Sequence, residues 1–344
     1  MLTFCTLFDE NYLDKGLVLY KSLKQVCKGE FAFYILCMSD RCYEILNDLN
    51  LVFVHPIRLS DFENEDLLKV KPTRSIGEYC WTCDSSLIKY VLETFNPEYC
   101  TYLDADMAFY DDPQVIIDEM ISRNASVSIV GHRFDKEIAE EYVRVYGKYC
   151  VQCNTFKNDD KGKELLKIWV QQCLDYCSAD GDGIHFGDQK YMDNWKEDYP
   201  YVIELNNLGA GVAKWNLSQY DLISSDKNNL QLKCKDKSYR LLFYHFQGVT
   251  FLAEDLARIN VFTGKSKCNK KLVLLIYDPY LSEIGKVRKM LKEKYGVIAV
   301  YKSHPGYKTN MNALERGLII VKNMWRLKFK YFDRKYDFRK ISIE

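Results

Sequence analysis

The chain has 344 residues, of which 47% are hydrophobic and 28% charged, with a formal net charge of zero; disordered and fibrous classes are excluded. A neutral balance leaves no whole-protein basic footprint, so no nucleic-acid partner is expected, and no apolar run approaches the ~20 residues of a membrane span. Thirteen cysteines, an odd number behind an opening "LTFCTLF" with neither basic leader nor cleavage site, point to free thiols in a reducing cytoplasm rather than to a disulfide framework.

"LTFCTLF" is a near-continuous apolar run, which suits a strand buried on both faces. In "YLDKGLVLYKSLKQV" Leu13, Leu17, Tyr20 and Leu23 recur near helical spacing. "FAFYILCM", "DRCYEILNDL" and "LVFVHPI" then read as strand, helix and strand. Such alternation predicts crossover units on a mostly parallel sheet, with α/β architecture. "YCWTCDSSLIKYVLETF" is the helix before the next strand, "PEYCTYLDADM". Cys80 and Cys83 within it have the C-x-x-C redox spacing, but no second pair completes a zinc site, and a structural helix start is the favoured reading. "SVSIVGHRF" and "VQCNTFKND" read as further strands, the latter leading into the helix "GKELLKIWVQQCLDYC".

Beyond about Phe262 the texture changes, which predicts a first domain over 1–262 and an α/β or helical extension over 263–344. "KLVLLIYDPYLSEIGKVRKMLKEKYGVIAVYKS" fits strand, helix, strand. The final stretch interleaves Lys322, Arg326, Lys328, Lys330, Arg334, Lys335, Arg339 and Lys340 with Trp325, Phe329, Tyr331 and Phe332. An interfacial helix giving peripheral contact with the cytoplasmic face of the inner membrane fits that pattern, and so does a helix docked on its own domain.

The stretch "TYLDADMAFYDDP" ends an apolar strand in two aspartates one residue apart. At a rise of ~3.3 Å per residue, carboxylates at i and i+2 of an extended segment face one side within reach of one divalent ion. Like charges so close repel unless a cation or proton lies between them. Alone, so short a pattern is more often a solvated strand end, and Asp111, Asp112 and Pro113 supply a turn. Its place at the carboxyl end of a strand is, however, where open α/β sheets bind ligands. His245, ending the strand "LLFYHFQG", is either a satisfied buried histidine or a third ligand, and the same choice holds for His132 in "GHRF". A shell of carboxylates and imidazole tilts the ion towards Mn²⁺ rather than Mg²⁺. "FDENY" offers a ring and a carboxylate to a nucleotide, "FGDQKYMDNW" sets Asp188 and Gln189 at a helix start, and "NLGAGVAKWN" combines Lys214 and Trp215 with glycines that let backbone approach a ligand.

The ordered set "FDENY", "EYCWTC", "YLDADMAFYDDP", "FKND", "FGDQKYMDNW", "GAGVAKWN" and "YHFQG", over roughly residues 2–262, resembles the bacterial glycosyltransferases of the GT-A, nucleotide-diphospho-sugar transferase fold. Its order is similar to the family-8 retaining type. The resemblance implies a metal-dependent enzyme that moves a sugar from a nucleotide-diphosphate donor, UDP-sugar before others, to a saccharide or lipid-linked acceptor in cell-envelope polysaccharide synthesis. It implies Mn²⁺ (or Mg²⁺) on Asp104, Asp106 and His245, ribose contact by Asp104, nucleotide contacts by Thr6, Asp9 and Tyr12, and catalytic contact with the reacting sugar by Asp188 and Gln189. The family's H-x-x-G-x-x-K-x-W ending is cut short in "HFQGVTFLA": Gly248 is present, the Lys and Trp are not, and Lys214 or Arg133 is left to meet the diphosphate. Two other readings stay open. A sugar-1-phosphate nucleotidyltransferase would need a Gly-rich basic loop that "CTLFDENYLDKG" lacks, and a non-catalytic nucleotide-sugar or carbohydrate-binding module would have a damaged metal site.

Overall fold

A computed structural model describes residues 1–226, 229–253, 256–261, 269–298, 303–308, 312–315, 317–318, 321 and 335–337. The chain begins with β1 (Leu2–Phe8), α1 (Leu13–Val26), β2 (Phe31–Cys37), α2 (Asp40–Leu49) and β3 (Val54–Arg58), as the alternation predicts. Two short helices, α3 (Leu59–Phe62) and α4 (Glu65–Val70), lead to the long α5 (Ile76–Phe95). A capping box starts α5: Glu78 N–H donates to the Ser75 hydroxyl, and Ser75 N–H to the Glu78 carboxylate. Asn96 stops it at φ 51°, a left-handed position that Asn tolerates, and Pro97 follows.

Next come β4 (Tyr99–Leu103), β5 (Met107–Phe109), α6 (Gln114–Ser122), β6 (Val127–Gly131), α7 (Ala139–Tyr146), β7 (Tyr149–Lys157), α8 (Asp160–Asp175), α9 (Trp195–Asp198) and β8 (Val202–Glu204). The main sheet has the order β3-β2-β1-β4-β7-β6-β8. Its pairings are parallel except at β7, which runs against both β4 and β6. Along β1 the side chains alternate: Phe4 and Phe8 join the core under α1 and α2, while Cys5 and Leu7 join the core under α5 and α8. Burial on both faces explains the unbroken apolar run. The chain therefore has an α/β fold, a mainly parallel sheet between helical layers.

The antiparallel β7 starts at the end of the sheet where the parallel β4 finishes. Residues 150–152 therefore lie alongside the close of β4, with Leu103 paired to Cys153.

The remaining strands are β9 (Val212–Ala213), β10 (Asp221–Asp226), β11 (Asn229–Cys234), β12 (Lys237–Arg240), β13 (Phe243–His245), β14 (Thr250–Ala253) and β15 (Leu256–Arg258). After them come α10 (Lys270–Tyr295), β16 (Ser303–Lys308) and β17 (Lys335–Asp337). Where a strand and then a helix are expected after residue 269, one helix occupies 270–295, and most of the second strand expected after it, residues 299–302, lies outside the described residues. Leu272, Val273, Ile276, Tyr277, Tyr280, Ile284, Val287 and Leu291 recur at three- and four-residue steps and share a core with α1. The dense start "KLVLLIY" hides that period until the whole helix is counted. β16 pairs with β14 and β17 with β15, so Lys335 lies in a strand. Lys322, Arg326, Lys328, Lys330, Arg334, Arg339 and Lys340, with Trp325, Phe329, Tyr331 and Phe332, lie outside the described residues. Among the described residues no helix is long and apolar enough to cross a membrane.

Candidate functional site

The D-x-D is not extended. β4 ends at Leu103, residues 104–106 make a turn, and the chain then enters β5 in a second sheet of order β5-β13-β9. Two backbone bonds fix this turn: Asp104 N–H donates to the Gln152 carbonyl of β7 at 3.0 Å, and Phe246 N–H donates to the Asp106 carbonyl at 2.8 Å. β13 runs antiparallel to β5 with His245 opposite Met107, which delivers the histidine to the aspartates from 139 residues away in the chain.

His245 Nε2 lies 3.0 Å from Asp106 Oδ1 and 3.5 Å from Asp104 Oδ2. Its other nitrogen, Nδ1, meets the Gln152 Oε1 carbonyl at 2.9 Å, which fixes the proton on Nδ1. Nε2 then turns a lone pair towards two carboxylates, an arrangement that repels unless a cation or a further proton sits between them. A ligating imidazole held by a carbonyl on its far nitrogen is the usual support of a metal site. The donor set of two carboxylates and one imidazole fits Mn²⁺ or Mg²⁺. The ligand atoms that fall within 4.8 Å of one another are those of Asp104, Cys150 and His245, while Asp106 joins them through its contact with His245. Burial, with the charge of Asp104, pushes the Cys150 thiol well up, and as a soft donor it suits neither ion.

The turn opens into a cleft of about 800 Å³, a volume suited to a small-molecule ligand. Asp9, Tyr12, Asp104, Asp106, Asp188, Gln189, Lys214 and His245 all line it. Thr6 is buried within β1 and does not line the cleft. Both Asp9 carboxylate oxygens accept from Asn11, at 3.0 Å each. Tyr12 donates its hydroxyl to Asp106 Oδ2 at 2.8 Å, so its polar end supports the D-x-D. Gly248, at φ 88°, lies against the Lys214 ammonium where a Cβ would collide with it. Arg133 is turned away, donating to the Ala210 carbonyl and the Tyr220 hydroxyl. His132 pairs Nδ1 with the Gly147 carbonyl at 3.1 Å and stacks on Phe134; burial pushes it down to about 3, so it is a neutral packing residue. The glycines of "NLGAGVAKWN" serve the fold rather than a ligand: a Cβ at Gly209 would meet the Arg240 carbonyl.

Asp188 sits at the base of the cleft, 4% exposed, with its carbonyl accepting from Trp169 Nε1 at 2.9 Å. Gln189 donates Nε2 to the Tyr146 carbonyl at 2.7 Å, leaving Oε1 as its acceptor. Beside Asp188 lies Asp84 of α5, 3% exposed, which sequence reasoning missed. Burial and the neighbouring carboxylates push both acids up. The signal for Asp84 was present: it stands between Cys83 and Leu87 on the apolar face of a helix, where a carboxylate is out of place. Gln152 and Cys150 carried no such signal, because their role depends on the antiparallel turn of β7.

No family model matches the sequence. Among curated proteins, the chain is 35% identical over 251 residues to the uncharacterized protein YfnF of Bacillus subtilis (strain 168), covering 71% of this chain and 80% of that one. It is 27% identical over 281 residues to YfnD of the same organism, also uncharacterized, covering 81% and 87%. Among solved structures it is similar to the galactosyltransferase LgtC in complex with donor and acceptor sugar analogs, at 12% identity and TM-score 0.48 over 83% of this chain and 96% of that one. Apo mouse xyloside xylosyltransferase 1 is similar at 14% identity and TM-score 0.46, over 72% and 98%.

Proposed function

We propose that this chain, which belongs to the family of Bacillus subtilis YfnF, is a metal-dependent glycosyltransferase acting on a nucleotide-diphosphate sugar. The observation that carries the reading is His245 Nε2 at 3.0 and 3.5 Å from the two D-x-D carboxylates, in a cleft whose base holds Asp188. In this reading Asp104, Asp106 and His245 hold Mn²⁺ or Mg²⁺, which when bound supplies Lewis-acid stabilisation of the leaving diphosphate. Lys214, seated against Gly248, adds a positive charge for the same oxygens in place of the lysine missing after His245. Asp9 and Tyr12 flank the nucleotide, with Thr6 supporting them from within β1. Asp188 and Gln189 Oε1 face the positive charge that develops on the anomeric carbon.

The acceptor is a saccharide or lipid-linked saccharide of the cell envelope, the donor a UDP-sugar, and the outcome retention; these finer points rest on the motif resemblance. So does the division into a transferase unit over 1–262 and an extension over 263–344. A nucleotidyltransferase is less well supported, because the turn after β1 presents Asp9 and Glu10 to the cleft where a basic phosphate loop would be needed. The test is donor hydrolysis across UDP-, GDP- and CMP-sugars with Mn²⁺ or with chelator. Metal-dependent release of one nucleotide is expected; release that ignores chelator, or no turnover together with no thermal stabilisation by any donor, would refute the reading.

A further inference from the structure

Asp84 and Asp188 both line the cleft and are almost fully buried there. Tyr102 of β4 lines the same cleft. Asp84 Oδ1 and Asp188 Oδ2 are buried with no hydrogen-bond partner. No ion pair reaches either residue among the described residues. The titratable groups that face them are acids and thiols: Cys83 on α5, Cys173 and Cys177 from α8 and its end, Cys150 on β7, Cys5 on β1, and Asp104. Buried acceptors left unsatisfied are costly, and a fold that needed only packing here would use an apolar residue. Such a pair repels a phosphate, which is anionic and offers acceptors, but it matches sugar hydroxyls, which donate.

Building on the glycosyltransferase reading, we propose that Asp84 is a specificity-determining residue: with Asp188 it forms the floor that takes hydroxyl groups of the donor's transferred sugar. Asp84 orders that floor and reads the sugar, while the nucleotide and diphosphate are held elsewhere in the cleft. Calorimetric binding with Mn²⁺ separates the two, using each nucleotide diphosphate and its sugar-bearing form against the wild type, Asp84→Ala and Asp84→Asn. The wild type should bind one nucleotide sugar more tightly than its bare nucleotide. Asp84→Ala should lose about 10- to 100-fold of that extra affinity with bare-nucleotide binding unchanged. Asp84→Asn, which keeps a donor and an acceptor in place, should recover part of it. Equal loss for nucleotide and nucleotide sugar, or no loss at all, would overturn the role of Asp84. A wild type that binds no nucleotide would instead overturn the glycosyltransferase reading on which it rests.

Discussion

Asp14 and Asp84 are buried to nearly the same degree, 1% and 3% exposed, in opposite surroundings. Asp14 lies where α1 meets α10; Arg288 Nε stands 3.2 Å from its Oδ2, Lys15 N–H donates to its Oδ1, and the Arg288 guanidinium rests 3.8 Å above the Phe251 ring. Around them Phe246 stacks on Tyr280 at 3.5 Å between ring centroids, and Lys21 pairs with Glu283 at 2.5 Å. The Asp14 carboxylate has an arginine for its partner, and the result is a helix held in place. At the base of the cleft, Asp84 and Asp188 lie buried together and no ion pair reaches either among the described residues. A buried acid matched by an arginine is scaffold, whereas one left to another acid costs stability that only a ligand returns.

Removing the arginine breaks the first half of this contrast. Arg288→Met leaves Asp14 buried without its partner and should cost about 3–5 kcal/mol in urea unfolding, most of it restored by Asp14→Leu on the same chain. A near-neutral Arg288→Met would mean that Asp14 is satisfied by other groups. The cleft should respond in activity rather than stability. Asp106→Ala should lower metal-dependent donor turnover about 10²- to 10³-fold, the scale of lost transition-state charge stabilisation, with no comparable fall in melting temperature. Gln152→Leu removes the carbonyl that orients His245 and should weaken metal binding about 10- to 100-fold while leaving the carboxylates intact.

The smallest effect concerns Glu78, which accepts from Ser75 and Ala179 N–H and the Ser178 hydroxyl, and so ties the loop before Asp188 to the start of α5. The Ser75 and Ala179 amides hold its carboxyl down to about 2. A value depressed in the folded state stabilises above the unfolded carboxylate range near ~4.3 and is lost as pH falls towards the folded value. The stability margin of the wild type over Glu78→Gln should therefore be modest and constant at neutral pH and vanish between about pH 4 and 2. A margin that persists in acid would show that the amide makes poorer contacts for reasons other than charge.

How far the sequence could be read depends on the range of the interactions. β1 through β3, and α5, were legible because each element carries its own period or its own caps, as in the box of Ser75 and Glu78; the short α3 and α4 were not. The D-x-D was visible, but its geometry was not: the expected extended pair is a turn between two sheets, a feature set by β13 pairing with β5 from far along the chain. Gln152 and Cys150 stayed hidden for the same reason, being placed by the one antiparallel strand in the middle of the main sheet. Tyr12 was legible as a cleft residue and not as a support for Asp106, since nothing local relates the two. Asp84 differs from these, because a carboxylate in an apolar helical stripe is a local signal that needs no distant strand to be seen.

The most direct test of the central claim is Mn²⁺ binding measured by electron paramagnetic resonance, on the wild type and on Asp106→Ala. One Mn²⁺ bound per wild-type chain, and lost or strongly weakened in the variant, is the expected result. Equal binding by both proteins would contradict a metal centre on Asp104, Asp106 and His245.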